Sequence, residues 1–260
     1  MGGQAYCLRE HIARLEGSAS RIDLKAPPEY ERLVEIIKSV AQAGGMKDCL
    51  IRIVISRGPG GFSTNPYECP RSQLYVMAIK LKTPSAEAYE KGVTIISAPV
   101  PVKPPMFANI KSCDYLGNVL VKKAAIEAGV DYAVNWDDNG YLAEGSTENI
   151  LLVTPEGELL YPGFDRVLKG VTISRTIALA ETLIPSGLLK AVRPAEIDRV
   201  LAASCPEVML TSTSMDVLPV TAWDGRAVGD GRPGPVTRRL LDLVRRDVAE
   251  NREVLTPLFD

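Results

Sequence analysis

The residues best suited to chemistry in this chain are a lysine and a glutamate on one stretch, 108–153. Lys111 follows a short apolar approach, and Glu144 ends what reads as a strand. A lysine enclosed among apolar groups loses the solvation of its ammonium form. Its pKa falls, and the free amine becomes a nucleophile toward carbonyl carbons, which is Schiff-base chemistry. A carboxylate across the same pocket would keep a pyridinium nitrogen protonated and make such a ring an electron sink. Spacing alone favours the plainer alternative of a surface lysine and a strand-end glutamate, because such pairs are common.

The elements around the pair read as one unit. Leu116, Val119, Leu120, Ala124 and Ala128 recur at spacings of three and four, which predicts an amphipathic helix over 115–128 with these residues along its apolar face. Asp114 is placed to cap its start, and Gly129 to end it in the left-handed conformation. Residues 132–136 alternate as a strand, 137–140 (DDNG) carry a hairpin turn signal, and 141–144 read as the returning strand. Lys111 and Glu144 therefore fall at element boundaries, where side chains converge.

Composition narrows the classes. The 260 residues are 46% hydrophobic, enough to bury the core of one or two domains, and the net charge of −2 leaves no electrostatic footprint for nucleic acid or an anionic membrane. No apolar run reaches the ~20 residues of a membrane helix, and no secretory pattern opens the sequence, so a cytoplasmic protein is expected. Cys7, Cys49, Cys69, Cys113 and Cys205 have no paired spacing, which suits reduced thiols and neither a disulfide framework nor a zinc site. His11 is the single histidine, so a His-rich metal cluster is ruled out and a Ser-His-Asp or Cys-His hydrolase is disfavoured. A structural role on a charged helix is the expectation for it.

Before the central unit, 8–17 and 28–42 read as helices, and 49–56 and 73–82 as strands. The sequence RGPGG at 57–61 lacks the Gly-Lys-Ser/Thr of a phosphate loop and reads as a turn. Residues 83–87 form the expected linker between a small domain, 1–84, and a larger one, 85–260. After the central unit, 149–154 and 158–161 make a hairpin, and Leu168-Lys169-Gly170-Val171-Thr172 lead into a helix over 173–183. Gly170, the Thr172 hydroxyl and the first N–H groups of that helix together suit an anion, with Thr172 also read as a plain N-cap. A strand over 207–210 ends in the hydroxyl-rich Thr211-Ser212-Thr213-Ser214, and 235–250 reads as a helix burying Val236, Leu240, Leu241 and Val244.

In chain order, IKSCDYLGNVLVKKAA, YLAEGSTENILLV, LKGVTISR and LTSTSMDVLPV resemble the successive motifs of the class IV aminotransferases, the fold type IV pyridoxal phosphate enzymes. That family includes branched-chain and D-amino acid aminotransferases and aminodeoxychorismate lyase. The likeness runs from about Glu10 to about Arg239. It implies an α/β (α+β) protein of two domains, the larger built on a barrel-like sheet flanked by helices, acting on an amino acid and an α-keto acid as a homodimer or higher homo-oligomer. It implies pyridoxal phosphate on Lys111, with Glu144 at the ring nitrogen and Tyr115 at the phenolic oxygen. Arg14 (in HIARL), Val171, Thr172, Ser212 and Thr213 would then hold the phosphate. Asn149, in EGSTEN, matches a family asparagine and receives no catalytic role.

Three departures qualify the likeness. Relatives carry a further segment before the first helix, which lines the substrate pocket. They place Arg directly after the threonine, where this chain has Ile173 with Arg175 following later. D-amino acid relatives trap the substrate carboxylate with an arginine and a histidine in the loop corresponding to 60–64, which here supplies neither, so a branched-chain or other L-amino acid is expected. A lyase of the aminodeoxychorismate type and a catalytically silent cofactor-binding homologue are the alternatives.

Overall fold

A computed structural model describes residues 2–25 and 28–259. The chain divides into two compact units, Met1–Lys82 with Val248–Asp260, and Thr83–Asp247.

The first unit comprises β1 (Gln4–Tyr6), α1 (Leu8–Ser20), α2 (Tyr30–Gly44), β2 (Cys49–Ser56) and β3 (Gln73–Lys80). Leu8 and Ile12 of α1 and Leu33, Ile37 and Ala41 of α2 form one buried cluster, with Ile51, Ile53, Leu74 and Val76 of the antiparallel β2–β3 pair packed against it. The helix pair thus covers one face of the hairpin, as its apolar spacing requires. In the connecting loop Gly58 has φ 90, and a Cβ there would lie 1.9 Å from the Arg71 carbonyl oxygen. The glycine serves close approach in a turn.

The second unit is built on a nine-stranded sheet. Its elements are α3 (Ala86–Lys91), β4 (Val93–Ser97), α4 (Pro105–Ala108), α5 (Leu116–Glu127), β5 (Tyr132–Trp136), β6 (Leu142–Gly145), β7 (Asn149–Val153), β8 (Glu158–Tyr161), α6 (Val171–Glu181), β9 (Ala191–Pro194), α7 (Arg199–Ser204), β10 (Glu207–Ser212), β11 (Asp216–Trp223), β12 (Arg226–Ala227) and α8 (Pro235–Glu250). A last strand, β13 (Leu255–Pro257), pairs with β1 in the first unit. The sheet order is β6-β5-β4-β11-β10-β7-β8-β9, with β12 on β11.

That order forces curvature. β6 and β7 stand five places apart in the sheet, roughly 24 Å if it were flat, yet residues 146–148 join them and span at most about 14 Å. The sheet therefore curls into a half-barrel, bringing the end of β6 against the start of β7. Its interior is filled by Val93, Ile95, Val134, Ile150, Leu152, Leu160, Val208, Leu210, Leu218 and Val220.

Polar contacts fix the periphery of this unit. Glu207 accepts the N–H groups of Val236 (3.1 Å) and Thr237 (2.7 Å), capping α8, and Arg175 of α6 pairs with the buried Asp247 of α8 through two bonds of 2.8 and 2.6 Å. Ser97 accepts the indole N–H groups of Trp136 (2.9 Å) and Trp223 (3.2 Å) while donating to Asp224, and the two indoles stack with centroids 5.7 Å apart.

Two expectations about helices need correction. In α5, Val121 and Ala125 are the buried residues, whereas Leu116, Val119 and Leu120 are 71%, 58% and 43% exposed. The large residues of the stripe read from spacing point outward, while Ala124 packs inward with Val121 and Ala125, because these smaller side chains are what the helix sets against β5. Its cap residue is Tyr115, and Asp114 makes no capping bond; Gly129 does adopt the left-handed conformation, φ 68. In α6 the helix begins at Val171 with Gly170 as cap residue, so Thr172 lies inside the first turn and is not the N-cap.

Candidate active site

Lys111 lies on the segment linking α4 to α5. Two residues before it, Asn109 accepts the Lys169 N–H at 3.0 Å and donates to the Phe164 carbonyl, so the root of the lysine is tied to the loop that precedes α6. The side chain itself is exposed, which corrects the expectation of an apolar enclosure. Ile110 beside it is buried, but neighbours in sequence do not decide where a four-carbon chain ends. The ammonium stands 5.9 Å from the centroid of the Tyr115 ring.

Glu144 sits near the end of β6, where the sheet curls toward β7. Burial pushes its carboxyl up to about 7; the Leu168 N–H bond and the charges of Lys111 and Lys103 pull it down, and Glu148 adds to the rise. A carboxyl balanced in this way near neutrality can share a proton with a basic ring nitrogen. Its Oε2 accepts the Leu168 N–H at 3.2 Å.

The same turn leads into α6. Val171 and Thr172 are the first helical residues and both are buried; their N–H groups have no acceptor within the helix, and the dipole there favours an anion. Gly170 lies against Asn149, the first residue of β7, which pairs with Thr211 of β10. β10 runs on from Thr211 through Ser212, paired with Asp216 of β11, and Thr213 follows in the turn between the two strands. The Thr211 hydroxyl is buried and carries no hydrogen bond. This donor set of helix N–H groups and strand-end hydroxyls, with a carboxyl and a lysine amine alongside, fits an aromatic aldehyde bearing a phosphate and a ring nitrogen.

Lys111, Tyr115, Glu144, Val171, Thr172, Ser212 and Thr213 all belong to the Thr83–Asp247 unit, and Arg14 belongs to α1 in the other, where its guanidinium lies 3.3 Å from the His11 ring. Asn109 is a residue that sequence reasoning missed. Its partners are 55 and 60 residues away, and no local spacing signals them. Among the described residues no group of side chains could hold a metal, and no helix is long and apolar enough to cross a membrane.

The family model for amino-transferase class IV matches residues 1–223, and the chain belongs to the class IV aminotransferases, the pyridoxal phosphate-dependent transaminases of fold type IV. It is 35% identical over 250 residues to a chloroplastic D-amino-acid transaminase of Arabidopsis thaliana, covering 95% of this chain and 66% of that protein. It is 29% identical over 238 residues to a putative branched-chain-amino-acid aminotransferase of Methanocaldococcus jannaschii, covering 92% and 81%. Among solved structures, the branched-chain amino acid aminotransferase of Escherichia coli superposes with a TM-score of 0.86 at 27% identity, over 98% of this chain and 84% of that one. A second branched-chain amino acid aminotransferase, solved with pyridoxamine 5'-phosphate, superposes with a TM-score of 0.90 at 30% identity, over 98% and 85%.

Proposed function

We propose that the chain transfers an amino group between an amino acid and an α-keto acid, with Lys111 as the catalytic lysine and Glu144 as the partner of the ring nitrogen. Pyridoxal phosphate, when bound, supplies an electron sink conjugated to the substrate nitrogen. The Lys111 amine would take the proton from the substrate Cα as base and, as acid, deliver it to C4′ of the cofactor, and run the same shuttle in reverse with the keto acid. Its exposure leaves it reach to do so. Glu144 holds a proton against the ring nitrogen, the N–H groups of Val171 and Thr172 with the hydroxyls of Thr172, Ser212 and Thr213 bind phosphate, and Tyr115 donates toward the phenolic oxygen. Arg14 is assigned to the phosphate on the HIARL motif alone.

The observation that carries this reading is the junction at Leu168. Its N–H meets Glu144, whose carboxyl feels Lys111, two residues ahead of the glycine that opens α6. The purified protein should show a visible absorbance band that borohydride bleaches and Lys111→Ala abolishes. A Lys111→Ala variant that keeps both band and transaminase activity would sink the assignment.

For the substrate, the 60–64 loop without arginine or histidine supports branched-chain or other L-amino acids, whereas the Arabidopsis relative supports a second reading, D-amino acids. A panel of L- and D-amino acids with 2-oxoglutarate or pyruvate separates them. The outward stripe of α5, Leu116, Val119 and Leu120 beside Tyr115, supports a homo-oligomer, since exposed apolar patches of this kind mark contact surfaces. The five free cysteines suit a reducing compartment such as the cytoplasm.

A further inference from the structure

The turn at 168–170 is held in an unusual way. It belongs to neither a strand nor the body of a helix, so its peptide groups need other partners. Three side chains from three distant segments supply them. Glu144 of β6 accepts from Leu168 N (3.2 Å), Asn149 of β7 donates from Nδ2 to Leu168 O (2.9 Å), and Asn109 accepts from Lys169 N (3.0 Å). Asn149 is buried at the first position of its strand, and its Oδ1 would lie 2.2 Å from a Cβ placed on Gly170. Gly170 has an ordinary φ of −64, so its lack of a side chain makes room for the Asn149 amide and serves no unusual backbone angle. Asn109 grips the same loop a second time through the Phe164 carbonyl, and it sits two residues from Lys111.

We infer that Asn109 and Asn149 are positioning residues that lock the 168–170 turn, and so aim the first N–H groups of α6 at the cofactor phosphate while registering that turn to the segments bearing Lys111 and Glu144. The inference rests on the cofactor reading given above. Its physical basis is that an anion site made of backbone N–H groups is only as good as the orientation of its peptide planes, and a displacement well under the length of a bond weakens every donor together. Neither asparagine touches the phosphate in this role. Each acts through the turn.

The consequence is a selective loss. Pyridoxal lacks the phosphate but retains the aldehyde, the ring nitrogen and the phenolic oxygen, so it samples Lys111 and Glu144 without the helix start. Cofactor-free protein is titrated with pyridoxal phosphate and, separately, with pyridoxal, following the borohydride-sensitive visible absorbance, for the parent, Asn149→Ala, Asn149→Ser and Asn109→Ala. Each variant is expected to bind pyridoxal phosphate about tenfold more weakly, the scale of one lost buried hydrogen bond, with pyridoxal binding altered less than about twofold. Variants that lose both ligands in equal measure, or lose neither, overturn the inference. A parent that takes up neither ligand in a Lys111-dependent manner overturns the cofactor reading and this inference with it. Asn109→Ala, at a half-buried site outside the sheet, keeps the test decisive if the β7 variants fold poorly.

Discussion

Replacing Glu144 with glutamine should make the cofactor-free protein more stable, and only above a certain pH. In the folded chain the Glu144 carboxyl holds its proton up to about 7, whereas the unfolded chain releases it near 4.5. Between those values the folded state binds more protons than the unfolded one, so stability falls as pH rises through the window. Above about 7 the carboxylate is ionised in both states, and the folded state carries its full desolvation cost, at most about 3 kcal/mol for a displacement of this size. Glutamine has nothing to ionise and keeps an oxygen for the Leu168 N–H, so the substitution removes the cost without opening the turn. Urea denaturation of parent and Glu144→Gln, read by circular dichroism, should give a difference below about 1 kcal/mol at pH 5 that grows to about 2–3 kcal/mol at pH 8.5 in favour of the variant. A difference independent of pH, or a variant less stable at pH 8.5, would refute the assignment of a desolvated carboxyl. The same variant should lose transaminase activity, the usual exchange at a site kept for function.

Other substitutions test other parts. Gly170→Ala should destabilise the protein by about 1–3 kcal/mol through the Asn149 amide, and adding Asn149→Ala should recover part of that loss, a coupling that equilibrium denaturation of the four-member cycle would measure. Arg175→Met leaves the buried Asp247 carboxylate without its bidentate partner and should cost about 3 kcal/mol, visible as a lowered urea midpoint. Val119→Glu on the outward stripe of α5 should shift the protein toward monomer by light scattering with little change in monomer stability, since Val119 is 58% exposed.

What was legible in the sequence follows from what local pattern can encode. The aliphatic runs of β2 and β3 declared themselves, and α8 did so through Val236, Leu240, Leu241 and Val244, which are all buried. The α5 stripe misled because periodicity marks an apolar face and says nothing of whether the chain itself or something else covers it. The start of α6 was placed two residues late because its cap is a glycine, which carries no side-chain signal. Thr211 and Ser212 read as a turn by composition, yet they continue β10, held by pairing with Asn149 and Asp216. The grip of Asn109 and Asn149 on the turn depends on contacts across 19 to 60 residues, where spacing is silent.

The shared serine contact of the two indoles has a practical side. Trp136 and Trp223 are the chain's two tryptophans, and both lie in the Thr83–Asp247 unit, stacked together. Intrinsic emission excited at the red edge therefore reports on that half of the molecule and is blind to the packing of α1 and α2. Set against a whole-chain probe of backbone structure during denaturation, it would reveal whether the halves of this protein melt as one body or in turn.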